Sequence, residues 1–131
     1  MIKFINGDGL DYLQENPEGF IVTDCTKHEI SELLALCEFL GLPVINAYAK
    51  DWLKPGKYPG EKRIQPYQAI IRAFPGQKLI IDPFMGSGAI GIAAVLEDRD
   101  FIGCEIDEDR CKYAKSRIED AAIGAIAGNI P

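Results

Sequence analysis

The segment Leu79-Ile80-Ile81-Asp82 is apolar up to a closing acid, and Pro83-Phe84-Met85-Gly86-Ser87-Gly88 follows it directly. Apolar residues in an unbroken run, rather than at alternate positions, suit a strand covered on both faces, as in a parallel sheet between layers of helices. The glycines then let the chain turn sharply and open a helix, predicted over Ser87 to Leu96.

The rest of the chain fits that plan. Ile2 to Asn6 reads as a short strand stopping at Gly7-Asp8-Gly9, and Leu10, Tyr12 and Leu13 mark a brief helix ending near Asn16-Pro17. Phe20 to Thr23 is a second strand. Thr26 and Glu29 have capping-box spacing, and Ile30, Leu33, Leu34, Cys37 and Leu40 recur at helical period as far as Gly41. Val44 to Tyr48 predicts a third strand, followed by a Pro/Gly-rich connection from Leu53 to Gly60. Ile64, Tyr67, Ile70, Ile71 and Phe74 predict a helix over 64–74 with Pro66 in its first turn. Phe101 to Glu105 returns as a strand, and a helix is predicted from Asp107 to Ile118. The tail from Ala121 to Gly128 is apolar but broken by glycine, and reads as a frayed helix end or a partner contact. The expected class is α/β: a doubly wound, mostly parallel sheet of about five strands with helices on both faces. With 131 residues and 47% hydrophobic content, a single domain is expected, formed by residues 1–49, a basic connection over 50–63, and residues 64–131.

No stretch approaches the roughly 20 apolar residues that cross a bilayer, and the start is too short and too soon acidic for a signal peptide, so a cytoplasmic protein with no membrane partner is expected. Cys25, Cys37, Cys104, Cys111 and the single His28 match no zinc or disulfide spacing, so the cysteines are read as reduced, mostly buried thiols and no metal is expected. The net charge of -6 is unevenly spread. Lys50, Lys54, Lys57, Lys62, Arg63, Arg72 and Lys78 face only Asp51 and Glu61 over residues 50–78, with Trp52, Tyr58 and Tyr67 interleaved. Cations beside aromatic faces suit phosphates and unstacked bases; an ordinary solvated loop has the same composition.

The chemistry gathers around the glycines. Helix N-terminal amides suit an anion, and Glu105, at the end of the next strand, stands where an acid accepts both hydroxyls of a ribose. Together they predict a unit over 79–107 that holds a nucleoside-bearing cofactor.

These blocks resemble the amino-directed DNA methyltransferases that form N6-methyladenine or N4-methylcytosine from S-adenosylmethionine. Asp82 to Gly88 looks like the family's cofactor loop, Ile102 to Asp107 like its ribose-binding strand end, and Tyr58-Pro59-Gly60-Glu61-Lys62-Arg63 like its His-Pro-Thr-Glu-Lys-Pro segment. Asn6-Gly7-Asp8 with Leu10-Asp11-Tyr12-Leu13 is similar to the family's opening strand, and the block order is that of the circularly permuted subgroup. The resemblance implies a truncated Rossmann-like methyltransferase fold and S-adenosylmethionine as cofactor. It puts Asp82 and the Gly86 and Gly88 backbone at the methionine end, Glu105 at the ribose and Asp8 at the adenine amine, with Phe84 and Ser87 also binding the cofactor. Lys62 falls near the cofactor carboxylate or the nucleic acid backbone. Lys50, Lys54, Lys57, Tyr58 and Arg63 are the expected nucleic acid contacts, with DNA as the partner.

Two departures stand out. The family ends its catalytic strand with Asp-Pro-Pro-Tyr, whereas this chain has Asp24-Cys25-Thr26-Lys27, so only the aspartate survives. Asp24 remains the expected catalytic acceptor of an amine hydrogen bond. His28 is a candidate to stack in place of the tyrosine, and it also sits where a helix begins. There is also no room for a target-recognition insert between Asp24 and Lys62. The two functions carried forward are transfer of methyl to an exocyclic amino nitrogen, and a catalytically inactive remnant serving as a cofactor-binding or regulatory module. A strand at 44–48 near the sheet edge implies a homo-oligomer or a covering partner subunit.

Overall fold

The structure, a computed structural model, describes residues 1–25, 27–48 and 62–126, leaving aside the side chains of Lys27 and His28. Five strands alternate with five helices: β1 (Ile2–Ile5), α1 (Gly9–Glu15), β2 (Phe20–Thr23), α2 (Lys27–Leu40), β3 (Val44–Asn46), α3 (Gln65–Arg72), β4 (Leu79–Asp82), α4 (Ala89–Leu96), β5 (Asp100–Cys104) and α5 (Glu108–Ile126). The strands form one sheet in the order β1-β5-β4-β2-β3, and every pairing is parallel.

The apolar runs explain the layering. All four residues of β2 are buried, as are Ile80, Ile81 and Asp82 of β4 and Phe101 to Cys104 of β5, because both sheet faces are covered. On one face α3, α4 and α5 supply Tyr67, Ile71, Ile90, Ala93, Ala114 and Ile118 against Phe20, Val22, Ile80 and Phe101. On the other, Leu13 of α1 and Leu33 and Cys37 of α2 cover Ile21, Ile81 and Ile102. Alternate strand residues feed opposite cores, as the two-residue period requires.

Several element ends differ from the sequence expectation, three of them as follows. β3 stops at Asn46, two residues short of Tyr48, although the Ala47 amide still donates to the Thr23 carbonyl at 2.7 Å. α4 begins at Ala89 rather than Ser87, because Gly88 has φ of 93° and a left-handed residue lies outside a right-handed helix. α5 runs on to Ile126, well past Ile118: Ala121 still packs on the core, so burial outweighs the modest cost of Gly124.

All four cysteines are free and buried. No helix among the described residues is long and apolar enough to cross a membrane.

Candidate functional site

From the centre of the sheet the chain winds outward both ways, β4 to β5 on one side and β2 to β3 on the other. The carboxyl ends of β2 and β4 therefore lie side by side at the switch point, where open parallel sheets leave a crevice. Asp82 ends β4 and Thr23 ends β2, and the Thr23 hydroxyl donates to Asp82 Oδ1 at 2.8 Å across the gap. The Phe84 amide donates to the same oxygen at 3.1 Å. Asp82 is 2% exposed, and burial, opposed by these two bonds and reinforced by the charges of Asp24 and Glu105, pushes its carboxyl up to about 7.

After Asp82 the chain turns on two left-handed glycines, Gly86 at φ of 52° and Gly88 at 93°. They differ in surroundings. A side chain at Gly86 meets nothing within 4 Å, whereas one at Gly88 meets Ala114 and Ile118 of α5 at 3.0 and 3.1 Å. The left-handed backbone and the packing against α5 both require glycine at 88, whereas Gly86 faces open space.

The carboxylate of Glu105 spans the loop. Oε1 accepts from the Gly86 amide at 3.0 Å and Oε2 from the Asp107 amide at 2.9 Å. Each oxygen keeps a lone pair, so the group orders the loop and still accepts from a ligand hydroxyl. The Ser87 carbonyl is held by Arg117 of α5 at 2.7 Å, and the Met85 amide by the Cys104 carbonyl at 2.9 Å. No side chain caps the start of α4, whose first amides suit an anion.

Asp24 lies one residue past β2. Its Oδ2 accepts from the hydroxyl of Tyr67, a fully buried residue of α3, at 2.5 Å, and Lys62 Nζ is 3.6 Å from the same oxygen. Oδ1 is buried and has no hydrogen-bond partner among the described residues. Burial, then the bond to Asp24, raises the Tyr67 phenol well above its ordinary range, so it stays a donor. Lys62 is 8% exposed, with its ammonium 4.8 Å from the Tyr48 ring centre. Lys62, which the resemblance puts near the cofactor carboxylate or the nucleic acid backbone, is buried beside Asp24. Asp24, Lys62, Tyr67, Asp82, Phe84, Gly86 and Ser87 line one recess, an open cleft of about 360 Å³ when the solvent-exposed space at its mouth is included.

The structure thus brings together Asp24, Lys62, Asp82, Phe84, Gly86 and Ser87, with Glu105 bound to the same loop. Asp8 stands apart and exposed at the end of β1, capping α1 by accepting from Leu10 and Asp11 at 2.8 and 3.2 Å. Arg63 is exposed. Lys50, Lys54, Lys57 and Tyr58, and the side chain of His28, lie outside the described residues. Sequence reasoning missed Thr23, Asn46, Arg117 and, as a site residue, Tyr67. It also missed Gly9, where any side chain would strike the Pro83 carbonyl. The Gly7-Asp8-Gly9 turn was a visible signal for the last; the others carry no local pattern.

Known proteins are similar to this chain in sequence and in fold. Type II methyltransferase M2.MboI of Moraxella bovis is 36% identical over 80 residues, 60% of this chain and 28% of that protein. M2.LlaDCHI of Lactococcus lactis subsp. cremoris is 37% identical over 68 residues, 51% of this chain and 25% of that one. The chain spans about a quarter of the length of these curated relatives. Among solved structures, TTHA0409 of Thermus thermophilus superposes with a TM-score of 0.65 at 14% identity, covering 95% of this chain and 97% of that one. The M1.HpyAVI–SAM complex gives 0.62 at 18% identity, covering 90% and 99%. These two likenesses establish a shared fold. The model of the N6_N4_Mtase family, described as DNA methylase, matches residues 38–116, more than half of the sequence, and the chain belongs to that family.

Proposed function

We propose that this chain binds S-adenosylmethionine along the carboxyl ends of β4 and β5 and transfers its methyl group to the exocyclic amino nitrogen of adenine or cytosine in DNA. The observation that carries this reading is the meeting of Asp24, Asp82 and the glycine loop in one recess at the switch point. The residues fit such a cofactor: Gly86 faces open space, Glu105 keeps lone pairs for a ribose, and the uncapped start of α4 suits the methionine carboxylate.

When bound, the cofactor supplies an electrophilic methyl on a sulfonium. The protein's task is then alignment and charge stabilisation. Asp82, Phe84, Ser87 and the Gly86 and Gly88 backbone hold the methionine end, Glu105 the ribose and Asp8 the adenine amine. Asp24 accepts a hydrogen bond from the target amine, with His28 stacking on the base. Lys62 stands behind Asp24, while Lys50, Lys54, Lys57, Tyr58 and Arg63 take the phosphates and an unstacked base of DNA. The order of the blocks supports a circularly permuted member, and one sheet with a core on each face supports a single domain over these residues. β3, at the sheet edge and three residues long, supports a homo-oligomer or partner subunit that covers it. Work in the cytoplasm belongs to the same reading.

A second reading, the inactive remnant, is favoured by one observation: Oδ2 of Asp24 is already taken by Tyr67 and Lys62. Calorimetric titration with S-adenosylmethionine, paired with labelled-methyl transfer to single-stranded DNA, separates the two. Binding with transfer supports the enzyme, binding without transfer supports the remnant, and no binding overturns both.

A further inference from the structure

The side-chain amide of Asn46 pairs with both polar atoms of one peptide residue. The Cys25 amide donates to Asn46 Oδ1 at 3.0 Å, and Asn46 Nδ2 donates to the Cys25 carbonyl at 3.3 Å. Asn46 stands opposite Thr23 in the β2–β3 register. A carboxamide is chemically a peptide group, so this side chain adds one more rung to the pairing just beyond the point where the strands end. At the preceding residue, Tyr67 holds Oδ2 of Asp24, and Oδ1 is buried without a partner among the described residues.

These contacts occupy the segment where the chain departs from Asp-Pro-Pro-Tyr. A proline fixes its own φ and has no amide hydrogen to satisfy. Cys25 has both a free φ and a donor that needs an acceptor. Asn46 meets the second need and restrains the first, because both faces of the Cys25 residue are tied to one rigid planar group. Tyr67 then fixes the rotation of the neighbouring carboxylate. An unmet buried acceptor is costly, so Oδ1 is the atom that gains most from an incoming N–H donor.

We propose that Asn46 and Tyr67 are positioning residues that aim Asp24 at the target amine, doing with hydrogen bonds what the prolines of the related motif do with covalent rings. The proposal rests on the methyl-transfer reading above. Asn46 is exposed and Tyr67→Phe keeps the buried ring, so neither Asn46→Ala nor Tyr67→Phe opens the core.

In the labelled-methyl assay each variant is expected to lower kcat roughly ten- to a hundredfold, with calorimetric affinity for S-adenosylmethionine kept within about twofold. Two readouts do not depend on turnover. Amide exchange at Cys25 should quicken at least about tenfold in Asn46→Ala, and the carboxyl carbon resonance of Asp24 should move in Tyr67→Phe. Cys25→Pro in the Asn46→Ala background should restore part of the lost kcat, a rescue that a merely structural asparagine does not give. Wild-type kcat in both single variants overturns the proposal and leaves methyl transfer standing. So does unchanged Cys25 exchange together with an unmoved Asp24 resonance, even if the proline variant fails to fold. A wild-type chain that binds cofactor but transfers nothing overturns the methyl-transfer reading, while exchange and resonance still decide whether the clamp exists.

Discussion

The ends of β4 and β2 lie side by side and are held by opposite means. Past β4, the backbone sets the shape: two left-handed glycines turn the chain, Asp82 accepts from the Phe84 amide, and Glu105 accepts from the amides of Gly86 in the loop and Asp107 two residues on. Past β2, the shape comes from side chains arriving from afar, Asn46 from β3, Lys62 from the segment before α3, and Tyr67 from α3 itself. The first arrangement is made by local chain stiffness and survives in a short motif. The second is assembled by tertiary structure and is exposed to single substitutions.

The sharpest way to separate the two ends is Asp24→Ala. It is expected to cut transfer by about a hundredfold or more, while affinity for S-adenosylmethionine, measured by calorimetry, stays close to that of the parent. A parallel loss of both would mean the two ends act as one site. Next in size is Gly88→Val, where a left-handed backbone and contact with α5 coincide. A loss of about 3 kcal/mol in urea unfolding is expected. Gly86→Ala has the backbone penalty without the collision, so about 1–2 kcal/mol is expected, with the larger change in cofactor affinity.

The pH dependence tests the link between the ends. The folded carboxyl of Asp82 titrates near 7 against an ordinary 3.8, mainly because burial disfavours its charge. The folded state therefore binds more protons than the unfolded chain between these values. Stability from this group is full below about 4, falls as pH rises toward 7, and is flat above. Asp82→Asn should remove that slope in denaturation series at several pH values. The cationic centres of S-adenosylmethionine favour the ionised acid, so binding should strengthen through the same window. The smallest effect belongs far from either end. Arg72→Ala breaks a forked pair with Glu97 at 2.6 and 2.8 Å, yet the arginine is largely exposed, so the melting temperature should move by only a few degrees.

The same contrast explains what the sequence revealed. The run at 79–82, Gly86, Gly88 and Glu105 lie within one strand–turn–helix–strand unit, so period and spacing exposed their arrangement, and each strand of the sheet had been legible from its own apolar run. Lys62 was legible only through the family resemblance, because its partners, Asp24 and Tyr48, are distant in sequence. Tyr67 read as one more apolar position on α3, which its ring is; only its hydroxyl meets Asp24. Asn46 looked like the middle of a strand rather than its end. Asp8 was visible as a turn acid, and capping α1 uses just one of its two oxygens in the bonds to Leu10 and Asp11.

Cys25 gives this edge a built-in witness. Its thiol is pushed up to about 12, by burial and then by the charges of Glu29, Asp82 and Asp24, and it is 4% exposed. Alkylating reagents attack thiolate, so the closed form is almost inert and labelling proceeds through openings of the turn between Asp24 and Asn46. The rate at which this one sulfur is labelled is therefore a clock for how often the segment past β2 comes apart, readable by mass spectrometry with no probe introduced.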